Sequence, residues 1–60
     1  MKFYITSHDT ITECANVPHA MTKFDEIRAT DPLATLWCKD DENLYIYKPA
    51  HGTFYLFRQD

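Results

Sequence analysis

Leu44-Tyr45-Ile46-Tyr47-Lys48-Pro49-Ala50-His51-Gly52-Thr53-Phe54-Tyr55-Leu56-Phe57 reads as two strands around a tight turn. Aromatic and aliphatic residues of this kind suit a pleated, partly buried surface. Pro49 and Gly52 punctuate the turn, and Gly52 is free to take a positive φ. In each flank an aliphatic residue or Phe alternates with Tyr or Phe, so both faces of the strands are apolar. A chain of 60 residues buries only ~60 % of its unfolded surface and cannot cover both. One parity is expected to meet a helix. The aromatic parity is expected to stay open, and contiguous open aromatic area marks a contact surface.

Working upstream, Asp40-Asp41-Glu42-Asn43 is a polar turn, and Leu33 to Lys39 before it reads as a further strand. Ala34, Leu36 and Cys38 share one parity; Thr35, Trp37 and Lys39 share the other. Two tight turns in succession give a three-stranded antiparallel meander. The meander is preceded by a helix. Val17, Ala20, Met21, Phe24 and Ile27 recur at helical spacing, while His19, Thr22, Lys23, Asp25 and Glu26 occupy the opposite face. Asn16 fits an N-cap, Pro18 falls in the first turn where its missing N–H does no harm, and Arg28 suits the C-terminal dipole. Asp31 precedes Pro32, which disfavours further helix, so the helix is expected over 17–29.

At the N-terminus, Lys2 to Thr6 reads as a strand. Ser7-His8-Asp9-Thr10 is a turn by composition, and Ile11 to Cys14 is a short second strand. The competing reading starts a helix at the capping box Thr10-Ile11-Thr12-Glu13. Pro18 would then lie inside that helix and break its hydrogen bonding, so the strand is preferred. The expected fold is α+β: a single helix packed on a four- to five-stranded, mainly antiparallel sheet, order β-(β)-α-β-β-β, in one domain over residues 1–60. The helix is expected to meet Phe3, Ile5, Leu36, Leu44, Ile46, Phe54 and Leu56. That leaves Tyr4, Trp37, Tyr45, Tyr47, Tyr55 and Phe57 on the open face, unless a bulge shifts the register.

Composition narrows the chemistry. The formal net charge is −3, and the six Lys and Arg are scattered singly. Nucleic-acid binders carry a basic patch, so direct nucleic-acid binding is disfavoured even though bases stack well on sheet aromatics. No stretch approaches the ~18 apolar residues of a membrane span, and no signal-peptide apolar region is present. Two cysteines are too few for a disulfide scaffold, so a reduced, cytoplasmic protein is expected.

No catalytic motif stands out. Ser7-His8-Asp9 contains the three residue types of a hydrolase triad, but adjacent side chains diverge and cannot make the required hydrogen bonds. His8, Cys14, His19, Cys38 and His51 lack the pair spacing of a closed zinc site. Cys38 reads as a small buried hydrophobe. Cys14, just before the helix, is the cysteine whose thiolate the helix dipole could favour. No metal, cofactor or enzymatic activity is expected.

The expected function is a non-enzymatic protein-interaction domain. Its binding residues would be Trp37, Tyr45, Tyr47, Tyr55 and Phe57, because Tyr and Trp carry large contact area at small entropic cost. Asp40, Asp41 and Glu42 would form an acidic lip selecting a partner with a basic surface. In size and charge alone the chain is similar to the small inhibitors carried by phages and mobile elements, which bind host nucleic-acid-processing or immune complexes (anti-CRISPR-like). The alternatives are a homodimer whose aromatic faces bury each other and, ranked below it, a single-stranded nucleic-acid binder whose bases stack on the sheet aromatics.

Overall fold

The computed structural model describes residues 1–59, with side chains through Phe57. The elements are β1 (Lys2–Ser7), β2 (Thr10–Cys14), α1 (Val17–Arg28), β3 (Thr35–Lys39), β4 (Asn43–Lys48) and β5 (Thr53–Gln59). The helix packs on a five-stranded sheet of order β2-β1-β3-β4-β5 with every pair antiparallel, which is the expected α+β arrangement. Among the described residues, no helix is long and apolar enough to cross a membrane.

α1 begins where its cap residue can serve it. The Asn16 side-chain oxygen accepts a hydrogen bond from the His19 N–H at 2.9 Å, and Pro18 occupies the first turn. One orphan donor is thereby satisfied, and the fixed φ of proline already matches a helix. Ala20 and Phe24 are fully buried, with Met21 and Ile27 packed beside them. Val17, expected on the buried stripe, is instead 43 % exposed, because it opens the helix beyond the edge of the core. The Arg28 guanidinium lies 5.3 Å from the Phe24 ring centroid and covers its outer face.

The core forms where α1 crosses the first three strands. Phe3 and Ile5 of β1, Cys14 of β2, and Leu36 and Cys38 of β3 are buried beneath it. The ladders put these residues in register: Ile5 opposes Leu36, and Phe3 lies between Cys14 and Cys38. Two ladder spacings separate the cysteines, about 9–10 Å, beyond the reach of a disulfide; both are free.

β3 starts at Thr35 rather than at the expected Leu33. The Asp31 carboxylate accepts the Leu33 N–H at 3.1 Å, and the Ala34 N–H donates to the Asp31 carbonyl at 3.1 Å. This local turn competes successfully with the ladder and leaves Leu33 88 % exposed.

Beyond β3 the expected faces are partly reversed. Cys38 opposes Tyr45 and Trp37 opposes Ile46, so Tyr45 and Tyr47 point to the helix side while Leu44 and Ile46 point away from it. The cause is the Asp40–Asn43 turn. The Asp40 N–H donates to the Asn43 carbonyl at 3.1 Å, which pairs these two residues around Asp41-Glu42 and fixes every pair that follows. The next turn, closed by the Gly52 N–H on the Lys48 carbonyl at 2.8 Å, pairs Tyr47 with Phe54. Gly52 there takes φ +69°, a conformation that suits glycine.

Burial of these tyrosines is supported by ring packing. Tyr47 meets Phe24 edge-on at 5.8 Å, Phe54 lies 5.2 Å from Tyr47, and Phe3 lies 5.9 Å from Phe54. β1 and β5 are three ladder spacings apart, about 14 Å in a flat sheet, so the sheet coils and the rings lean inward to close this quartet. A phenol suits a half-buried place of this kind, since its ring packs while its hydroxyl reaches water.

Candidate functional site: the open sheet face

The face turned away from α1 is built from the outward parity of each strand. β1 contributes Tyr4 and Thr6, β3 Trp37 and Lys39, β4 Leu44, Ile46 and Lys48, and β5 Tyr55. Tyr4, Trp37, Leu44 and Ile46 are half-buried, and Tyr55 is 44 % exposed. The apolar surface therefore runs unbroken across four adjacent strands, with no described element over it.

Trp37 sits at its centre and is held by two contacts. Its indole Nε1–H donates to the Thr6 hydroxyl at 2.9 Å, and its ring stacks on Tyr4 at 4.6 Å and 25°. Both partners are on β1, so the indole lies toward that strand. On its other side a shallow groove of about 430 Å³ is lined by Thr6, Thr35, Trp37, Lys39, Leu44 and Ile46. Lys39 borders this apolar depression. At one end Lys2 pairs with Glu13 at 3.3 Å, an exposed contact of small energetic weight.

Of the residues singled out in the sequence, Trp37 and Tyr55 lie on this face. Tyr45 and Tyr47 do not, because the turn-fixed register carries them to the helix side. Phe57 belongs to neither regular row. Leu44 opposes Arg58 and Tyr45 opposes Leu56, so Phe57 is the extra residue of a β-bulge; it is 65 % exposed. Leu44 and Ile46 are the residues that reading each strand separately misses. The signal that finds them is the two-residue turn Asp41-Glu42, which places even-numbered β4 positions with Trp37.

The acidic turn lies at the end of the same face. Asp40 and Asp41 border a shallow depression with Met1, Lys2, Tyr4 and Lys39. Asp40 is committed to its own backbone: its carboxylate accepts the Asn43 N–H at 2.8 Å and the Glu42 N–H at 3.1 Å. The Asn43 and Glu42 amides hold the Asp40 carboxyl below its ordinary range. Asp41 and Glu42 remain exposed.

A second polar cluster lies at the opposite end of β1. Asp31 is buried, accepts the Ser7 hydroxyl at 2.7 Å, and has the His8 Nε2 at 3.8 Å. The Ser7 hydrogen bond, with those from Leu33 and the nearby His8, keeps its carboxyl below the ordinary range against the opposing effect of burial. Ser7 and His8 both address the carboxylate and not each other, so the cluster lacks the serine–imidazole bond that nucleophile activation needs. It ties the β1–β2 turn to the end of α1, and His8 takes φ +53° there.

Cys14 is 1 % exposed and Cys38 4 % exposed. Burial, with the nearby Asp40 charge, pushes the Cys38 thiol up. Cys14, the cysteine singled out for a test of reactivity, is buried under α1 as Cys38 is. Comparison with protein families, curated proteins and solved structures finds no match for this chain.

Proposed function

We propose that this chain is a non-enzymatic protein-interaction domain that binds a protein partner through the open face formed by Tyr4, Trp37, Leu44, Ile46 and Tyr55. The observation that carries the reading is the fixed indole at the centre of an uncovered apolar face, held by Thr6 and Tyr4. A contact residue already held in place loses little entropy on binding, and Trp is the residue most enriched in interface hot spots. The groove beside it can receive an apolar anchor from the partner. Lys39 at its border, and Asp41 and Glu42 at the end of the face, supply charges of both signs for selecting orientation. The more specific form of the proposal is an inhibitor that occludes a host nucleic-acid-processing or immune complex, and it rests on size and acidity alone.

The test is capture of partners from a nuclease-treated extract, comparing wild type with a Trp37→Ser/Ile46→Lys double variant of unchanged circular dichroism. A protein retained by wild type and released by the variant supports the reading. A partner held equally by both, or lost from wild type on nuclease treatment, contradicts it.

A further inference from the structure

Three of the exposed apolar side chains are consecutive on one strand, while Met1, Ile11, Val17 and Leu33 are dispersed elsewhere. Tyr55, Leu56 and Phe57 of β5 are 44, 55 and 65 % exposed. β5 is the last strand of the sheet and has β4 as its one neighbour among the described residues, so its outer N–H and C=O groups face away from the sheet. Such an edge templates pairing with another strand unless charge, proline, shortness or a bulge blunts it. β5 is the longest strand, and within it Thr53-Phe54-Tyr55-Leu56 is free of charge, proline and bulge; the bulge at Phe57 and the charge of Arg58 come only at its end. The other edge, β2, is short and carries Glu13. α1 packs on β1, β2 and β3, which leaves Leu56 uncovered although it points to the helix side.

We propose that two copies of this chain pair through β5, antiparallel about a two-fold axis at Tyr55, to make one continuous ten-stranded sheet. The chemistry that satisfies a free ladder edge is another extended backbone. A second copy fits this edge because the uncharged stretch is complementary to itself. With the axis at Tyr55, Phe54 opposes Leu56 of the second copy, twice over, and the ladder ends where Thr53 meets the bulge at Phe57, so no charged residue enters it. An axis at Leu56 would instead bring Arg58 opposite Phe54. The pairing buries Leu56 against the ring row that ends at Phe54, the side that α1 leaves bare. A standard interface takes about 800 Å² from each partner, a large share of the 4328 Å² surface of one copy. One edge supplies less than that, so the dimer is weak and concentration-dependent. This interface uses the backbone edge of β5; it shares Tyr55 with the open face but does not rest on the open-face reading.

Sedimentation equilibrium from low micromolar to millimolar protein tests it, together with oxidation of a Tyr55→Cys variant. The expected mass rises from the 7.1 kDa monomer towards twice that value. Leu56→Lys, an exposed position whose change spares the fold, is expected to stay monomeric, and Ile46→Lys on the open face to dimerise like wild type. Paired positions have Cβ atoms about 5 Å apart, so the thiol introduced by Tyr55→Cys is expected to form an intermolecular disulfide on mild oxidation while the buried native thiols do not. A constant monomer mass overturns the proposal. So does a dimer that survives Leu56→Lys, or one that is lost in Ile46→Lys alone.

Discussion

The Tyr47 ring meets the Phe24 ring edge-on, with 5.8 Å between centroids and 88° between planes, and this contact ties the helix to β4. Tyr47 is therefore a structural residue. Tyr47→Ala is expected to lower stability by about 2–3 kcal/mol, less than a fully buried aromatic because its ring is half-exposed. Phe24→Ala, at a site 2 % exposed, should cost about 3–5 kcal/mol. Tyr55→Ala on the open face should cost no more than about 1 kcal/mol. Urea denaturation of the three variants checks the ranking. Equal losses at Tyr47 and Tyr55 would contradict the face assignment.

The helix start supplies a second expectation. Asn16 satisfies the His19 N–H, and the first turn contains no acidic residue that could take its place. Asn16→Ala is expected to cost about 1 kcal/mol, while Asn16→Asp should be neutral or slightly stabilising because an anion there also favours the helix dipole. Thermal melts followed by the helical circular dichroism signal measure both.

The Asp31 cluster makes stability depend on pH in a defined direction. The Ser7 hydroxyl foremost, with Leu33 and His8, holds the folded carboxyl below its unfolded value. A depressed folded pKa contributes stability that is fully present above the ordinary carboxylate range, about 4, and is lost as pH falls through the folded value. The urea midpoint is expected to be level at neutral pH and to decline below about pH 4. Asp31→Asn should lower the neutral plateau and flatten the decline, and Ser7→Ala should do so more weakly. An unchanged acid limb in Asp31→Asn would contradict the assignment.

Cysteine chemistry gives a fourth. Cys14 and Cys38 lie beneath α1, and burial raises the Cys38 thiol. Ellman's reagent should react with neither in the native protein and with both in urea, at a native rate that tracks stability across the variants above. Rapid native labelling of Cys14 would place it outside the core.

The fold was largely legible because its signals are local. The Asn16–Pro18 start, the spacing of Ala20 and Phe24, and the Asp40–Asn43 and Pro49–Gly52 turns each belong to a few neighbouring residues. The site was legible on β3, where Leu36 and Cys38 face inward and Trp37 outward. It was misread on β4, where the preference for aliphatic over Tyr in the core is a weak one. Register is a stronger constraint: the turn pairs Asp40 with Asn43, Tyr45 must follow Cys38 inward, and the hairpin after it takes Tyr47 inward with Phe54. The bulge at Phe57 and the Asp31 turn that exposes Leu33 depend on backbone and side-chain bonds that residue pattern does not encode.

The assignment of faces to β4 decides which side chains a partner can meet, and nuclear Overhauser contacts measure it directly. Cross-peaks between the Tyr47 and Phe24 rings, and between the Trp37 indole and the Ile46 methyls, are the predicted result. Contacts from the Ile46 methyls to the Phe24 ring would show β4 turned over, with its tyrosines on the open face and the proposed surface misplaced.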